Sequence, residues 1–195
     1  MSAAAGSPPE SGIRVVAVIG AGQAGRSFAM ACASAGFYVV LEDVMPAKLR
    51  KAEEEYSDLS RRGGFGELQL ASTVEEAVRE ADIAVDFVPD ELESKLEIFS
   101  MIDRMAPPKT ILCTPSDALS ITDLASCVYR PDRCISLRGG LKSAPPSRLL
   151  YPPAVSSETI RVVTKFLERL GIKVLSEADP DAPALVKNQV PFLPL

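Results

Sequence analysis

Histidine and tryptophan are absent from this 195-residue sequence. Without imidazole there is no Cys/His zinc set, and the four cysteines, Cys32, Cys113, Cys127 and Cys134, show no C-x-x-C spacing that would supply one from sulfur alone. They stand in apolar text and read as reduced core residues. Basic residues are short as well: 21 Lys and Arg against 26 Asp and Glu give a net charge of −5, with an isoelectric point near 4.9. That balance offers no broad cationic face to a nucleic-acid backbone or an anionic membrane, so any phosphate ligand must be held locally. Long apolar runs are lacking too. Runs such as Val15 to Ile19 fall far short of the roughly 20 residues that span a bilayer. Residues 1–12, M-S-A-A-A-G-S-P-P-E-S-G, have neither a basic n-region nor an apolar h-region, and are expected to be a flexible leader on a soluble, cytoplasmic protein.

What is present is apolar residue in quantity, 47% of the chain, enough for one core. The stretch I13-R-V-V-A-V-I-G20 is a continuous β-branched run, as in a strand buried on both faces. A helix is expected over Gln23 to Ser34, stopped by Gly36, and F37-Y-V-V-L-E-D43 is a second buried strand. Met45 to Ser60 has a charged helical pattern, R61-R-G-G-F-G66 a loop pattern, and L68-Q-L-A-S72 the look of a short edge strand. Thr73 and Glu76 stand in capping-box spacing before another helix, and A81-D-I-A-V-D-F-V88 is a third buried strand. Leu92, Leu96 and Phe99 make a helical stripe, P108-K-T-I-L-C113 a fourth strand, and I121-T-D-L-A-S126 a helix start. R133-C-I-S-L137 is a fifth strand, Ser156 to Leu170 a helix stopped by Gly171, and I172-K-V-L175 a sixth strand. The alternation predicts an α/β fold: a Rossmann-type doubly wound, mostly parallel sheet with helices on both faces, over residues 13–178. Residues 179–195 form a Pro-rich tail with an apolar end, read as a segment that packs on its own sheet, on a second copy or on a partner chain.

Between the first strand and helix stands G20-A-G-Q-A-G25, a complete G-x-G-x-x-G. The first glycine suits a tight turn, the second lets backbone approach a pyrophosphate, and the third permits close packing of helix on strand. The helix N-terminus would then face the anion with free N–H groups and the positive end of its dipole. Asp43 ends the next strand at roughly the 20-residue spacing of an acid that accepts the ribose hydroxyls of NAD. Glu42 precedes it and no Arg or Lys follows until Lys48, so a 2′-phosphate would meet repulsion and NAD is favoured over NADP. FAD, which can use the same turn, and a glycine turn that binds nothing are the alternatives.

V16-A-V-I-G-A-G-Q-A-G-R-S-F-A-M-A-C-A-S-A-G-F-Y-V-V-L-E-D43 resembles the opening of the NAD-binding domain of the 3-hydroxyacyl-CoA dehydrogenase family, as do V88-P-D-E-L-E-S-K-L-E-I-F99, L119-S-I-T-D-L-A125, R130-P-D-R133 and S156-S-E-T159. In order, these similarities run from Ile13 to Asn188. The resemblance implies cofactor contacts at Gly20, Gly22, Gln23, Ala24, Gly25 and Asp43, at Val88, Pro89 and Asp90 after the third buried strand, at Lys95 on the nicotinamide side, and at Thr114. Lys95 read alone is equally a solvated helix face. Where the family has N-T-S-S this chain has T114-P-S-D-A118, which sets Asp117 at a substrate-contacting Ser position.

The departures bear on chemistry. By resemblance the reaction needs a His acid/base in H-F-F-N-P, oriented by a following acid; the matching text here is R138-G-G-L-K142, and no acid lies between Lys142 and Glu158. Arg138 can bind a carboxylate or polarise a carbonyl, but it stays protonated near neutrality and cannot shuttle protons. A desolvated lysine can, which makes Lys142, and Lys187 beside Asn188, the candidate bases, with Asp117 a further candidate; the plain alternative is surface lysines. Met45 to Gly66 leaves little room for the family's CoA-holding arm. The family's helical C-terminal domain, which closes its cleft and forms its dimer, is not matched, so the cleft is expected to be open, covered by a partner chain, or unused. The expected role is an NAD-dependent oxidoreductase acting on the CH–OH group of a small hydroxy or oxo acid. The alternatives are a non-catalytic NAD(H)-binding sensor or accessory subunit, and 3-hydroxyacyl-CoA dehydrogenase proper.

Overall fold

The computed structural model describes residues 12–61, 63, 66–139 and 145–181. Apolar runs without alternation become the middle of the sheet, because a strand covered on both faces needs an apolar residue at nearly every position. Thus β1 (Val15–Ile19) lies between β2 (Tyr38–Glu42) and β4 (Ile83–Asp86), all parallel. Beyond β2, the strand β3 (Glu67–Ala71) closes one edge with exposed Glu67 and Gln69, as an edge strand would. On the other side follow β5 (Ile111–Pro115), β6 (Cys134–Arg138), β7 (Ser147–Tyr151) and β8 (Val174–Ala178). The order is β3-β2-β1-β4-β5-β6-β7-β8, parallel throughout except between β6 and β7.

The Rossmann-type sheet is as expected, but β7 is an addition. S147-R-L-L-Y151 carries only one short apolar pair and no alternation; it becomes a strand because β6 and β8 supply hydrogen-bonding partners on both sides. The helices are α1 (Gln23–Ser34), α2 (Pro46–Arg61), α3 (Val74–Val78), α4 (Leu92–Met105), α5 (Ile121–Ala125) and α6 (Ser157–Arg169). Thr73 caps α3 by accepting from the Glu76 amide, and Ser156 caps α6 by accepting from that of Thr159. The α4 stripe runs past Phe99 to Ile102, both buried, which carries the helix further than the first nine residues of its pattern suggest.

Two cores result. Phe28 of α1, Ala52 of α2 and Phe166 of α6 cover one face of the sheet, while α3, α4 and α5 cover the other through Val78, Phe99, Ile102 and Leu124. On the first face Phe166 meets Phe37 at 5.1 Å and Phe28 at 6.3 Å between ring centroids, both edge-on. Cys32, Cys113 and Cys134 are buried free thiols, but Cys127 is exposed, because it falls in the turn after the short α5 rather than on its buried side. Among the described residues no helix is long and apolar enough to cross a membrane.

From β1 the chain winds out through β2 to β3 and then returns across to β4. The strand order therefore reverses between β1 and β4, and their carboxyl ends open a crevice. Phe166→Ala, which empties the junction of α1, α6 and β2, should cost about 3–5 kcal/mol. Urea denaturation checks this: the midpoint should fall with an unchanged slope.

Candidate functional site

The turn G20-A-G-Q-A-G25 caps the crevice. Gly20 has φ +98° and donates its N–H to the Glu42 carbonyl at 2.9 Å, tying the end of β1 to β2. Gly25, in the first turn of α1, sits so close that a Cβ there would lie 1.9 Å from the Gly20 carbonyl oxygen. Only hydrogen fits. A Cβ on Gly22, by contrast, would meet nothing within 4 Å, so open space lies ahead of the helix. Gln23 and Ala24 are exposed beside it. No side chain caps α1 and its first turn carries no acid, which leaves the N-terminal N–H groups for an anion. Arg26, which carries no motif signal, braces this turn: it donates to the Ala21 carbonyl at 2.8 Å and to Glu55 of α2 at 3.1 Å.

Asp43 stands just past β2 at the other wall. Its Oδ2 accepts from the Ala21 amide at 2.8 Å and from Lys48 Nζ at 3.0 Å, and Oδ1 accepts from the Met45 amide at 2.9 Å. Burial pushes its pKa up, but the Met45 amide, Lys48 and the Ala21 amide outweigh burial and hold it below the ordinary value. Neighbouring Glu42 is pushed up, by burial and then by the Asp43 charge. Lys48 changes the expected charge pattern: from the first turn of α2 it reaches back and offsets part of the acidity that argued against a 2′-phosphate. Between the walls lies a cavity of about 590 Å³, floored by Gly20 and Gly22 and flanked by Asp43, Lys48, Val88 and Pro89. That is ample for part of a dinucleotide. A glycine cradle that a side chain would fill, an uncapped helix and an acid with lone pairs to spare fit NAD.

Two other expected contacts lie deeper. Lys95, assigned to the nicotinamide side, is 1% exposed, and its Nζ donates to Asp86 Oδ1 at 2.6 Å and to the Pro115 carbonyl at 3.1 Å. It is neither a solvated helix residue nor a lining of the cavity, because the first turn of α4 faces the sheet. Asp86 is fully buried, and burial raises its pKa against the pull of Lys95. Thr114 is buried too, opposite Ser136 in the ladder; the Oδ2 of Asp86 and the hydroxyls of Thr114 and Ser136 find no partner in hydrogen-bonding geometry among the described residues. The signal for this seam was an acid, Asp86, inside an otherwise apolar strand.

At the carboxyl ends of β4, β5 and β6 a chain of contacts forms. Asp90 Oδ2 accepts from the Asp117 amide at 3.0 Å, and Asp117 Oδ1 accepts from the Gly139 amide at 2.9 Å. Arg138 ends β6, and its Nη2 donates to the Leu119 carbonyl at 3.2 Å and to Asp181 Oδ2 at 2.8 Å. Its Nε is buried without a partner among the described residues. Asp90, Asp117 and Arg138 are thus brought together, while Lys142, Lys187 and Asn188 lie outside the described residues. Asp179 and Asp181 carried no signal in the sequence, since their partners are far away along the chain.

Lys95→Met leaves Asp86 buried and unpaired, and should cost about 3–5 kcal/mol at neutral pH. Removing the lysine also raises the folded-state pKa of Asp86 further. The folded chain then binds that proton more tightly than the unfolded chain, so the deficit should shrink as pH falls toward 5. Urea titrations of both proteins at a series of pH values check the magnitude and the sign.

Comparison with known proteins agrees with this geometry. Residues 15–138 match the family described as "3-hydroxyacyl-CoA dehydrogenase, NAD binding domain". A probable 3-hydroxybutyryl-CoA dehydrogenase of Bacillus subtilis is 33% identical over 94% of this chain and 68% of its own length. The 5-formyl-3-hydroxy-2-methylpyridine 4-carboxylate 5-dehydrogenase of Mesorhizobium japonicum is 24% identical over 91% of this chain and 61% of its own length. A solved diketoreductase has the same fold, with a TM-score of 0.76 at 23% identity over 87% of this chain and 66% of that one. Against several such proteins the chain spans less than two thirds of the relative's length. By the match over residues 15–138 and the likeness to the Bacillus subtilis relative, the chain belongs to the 3-hydroxyacyl-CoA dehydrogenase family and carries that family's NAD-binding domain.

Proposed function

We propose that this protein is an NAD-dependent oxidoreductase of a small hydroxy or oxo acid, with Arg138 holding the acid's carboxylate beside the cofactor. The observation that carries the reading is that Arg138, at the carboxyl end of β6, already holds a carboxylate and keeps a buried Nε donor unused. Gly20, Gly22, Gln23, Ala24 and Gly25 would cradle the pyrophosphate, Asp43 would accept the adenosine ribose hydroxyls, and Val88, Pro89 and Asp90 would flank the cofactor. Bound NAD supplies a hydride acceptor. Asp117, fixed through Gly139 and Asp90, adds negative charge beside Arg138 and favours a ligand that also donates a hydroxyl. A relative whose name carries a pyridine 4-carboxylate supports a carboxylate-bearing substrate. The candidate proton carriers are then Lys142, Lys187 with Asn188, and Asp117, since the chain has no His and arginine holds its proton.

A second reading is a non-catalytic NAD(H)-binding sensor or accessory subunit. The missing imidazole favours it. The same absence weighs against 3-hydroxyacyl-CoA dehydrogenase activity proper. Three buried free thiols suit a reducing cytoplasm, and the apolar end of the Pro-rich segment 179–195 suits a second copy or a partner chain.

NADH titration followed by the cofactor's own fluorescence separates these readings, and a chain with no Trp keeps that window clear. NADH should bind with a dissociation constant of about 1–100 μM, and Asp43→Ala should weaken it roughly tenfold or more. NADPH should bind more weakly. Turnover on a panel of hydroxy acids, rising with pH and lost in Lys142→Ala or Lys187→Ala, would support the enzyme; NADH binding with no turnover would support the sensor.

A further inference from the structure

The residues after β8 fold back over the carboxyl end of the sheet. Asp179 is the anchor. Its Oδ2 accepts from Ser120 Oγ at 2.7 Å, from Thr122 Oγ1 at 2.8 Å and from the Thr122 amide at 2.9 Å, and its own amide donates to the Tyr151 carbonyl at 2.9 Å. Burial pushes its pKa up, but the Ser120 and Thr122 donors more than offset this and hold it below the ordinary value. Asp179 Oδ1 then accepts from the Asp181 amide at 3.2 Å, a local turn that swings Asp181 toward β6. There Asp181 Oδ2 meets Arg138 Nη2 at 2.8 Å.

The two acids are held unequally. Asp179 has three contacts at the start of α5 and one at β7, whereas the Asp181 side chain is 42% exposed and takes one donor from an arginine that is 14% exposed. A partly exposed, single-contact ion pair is weak. Arginine binds a carboxylate best through two parallel donors, and here Nε stays without a partner while Nη2 divides between Asp181 and the Leu119 carbonyl. Asp181 therefore fills the anion position on Arg138 without using the whole fork.

We propose that Asp181 is a built-in stand-in for the ligand carboxylate, and that residues 179–181 are a strap that a small oxo or hydroxy acid displaces from Arg138. This rests on the reading that Arg138 receives a carboxylate, and it adds an intramolecular competitor that sets the affinity. Asp179 is the fixed end of the strap and Asp181 its movable tip. Because the tip is tethered, its effective concentration at Arg138 is in the millimolar range or above. An incoming acid must outcompete it.

The test uses the full chain loaded with NADH and titrated with acetoacetate, with bound-cofactor fluorescence as the readout. Asp181→Asn should bind acetoacetate about tenfold more tightly than the wild type, and Asp181→Glu should stay near the wild type. Asp179→Asn, which loosens the anchor, should tighten binding by a smaller factor. Arg138→Gln should abolish acetoacetate binding with Asp181 present or replaced. NADH affinity should be the same in the Asp181 variants and the wild type. Unchanged or weaker acetoacetate binding in Asp181→Asn overturns the proposal, as does acetoacetate binding by neither protein while NADH binds. Failure of the wild type to bind NADH strikes the cofactor reading instead. A second measurement keeps the strap testable in that case: when acetoacetate is added without NADH, amide exchange should quicken at Asp181 and stay as it is at Thr122, whose N–H the fixed Asp179 holds, and unchanged exchange at Asp181 overturns it.

Discussion

The contact between the Gly20 carbonyl and the α-carbon of Gly25 governs everything above it. With a β-carbon excluded at 1.9 Å, the first turn of α1 presses directly on the end of β1. That closeness aims the uncapped N-terminus of α1 across the crevice and brings the Ala21 amide to Asp43. Asp43 is fixed in turn by Met45 and Lys48, so the acid wall and the glycine floor of the cavity share one frame. Arg26 closes it from the outside, holding the turn to α2. A side chain on residue 25 would push α1 away and separate these groups together.

Farther along the sheet a different constraint takes over. Asp86 and Lys95 are charges taken fully out of water, and each is tolerable only because of the other. Lys95 holds the ends of β4 and β5 together through Asp86 and the Pro115 carbonyl. Beyond it, β6 presents arginine where the family reaction, by resemblance, uses histidine. An arginine can orient a carboxylate and cannot trade its proton. The chain thus carries the family's NAD-binding domain with an arginine at the carboxyl end of β6.

What the residues disclosed in advance follows from how local each interaction is. The helix Gln23–Ser34, the turn before it and Asp43 were legible because glycine spacing, a β-branched run and a terminal acid are contained in one βαβ unit. The caps at Thr73 and Ser156 were equally local. Strand β7 was not legible, since S147-R-L-L-Y151 owes its extended form to β6 and β8 rather than to its own pattern. Lys48 was visible only as a residue too late in the chain to matter, until the first turn of α2 folded it back on Asp43. The pairings Arg138 with Asp181 and Asp179 with Ser120 and Thr122 join positions that only the closed sheet brings together. The burial of Lys95 was not legible either, since Asp86, which draws it under the helix, lies on a different element.

The most direct measurement of the account is amide hydrogen exchange of the full chain with and without NADH. The predicted result is slowed exchange confined to residues 20–26, 43–48 and 87–90, the turn, the ribose wall and the β4 exit that line one cavity. Protection elsewhere, or none at these three segments under conditions where NADH is bound, would contradict it.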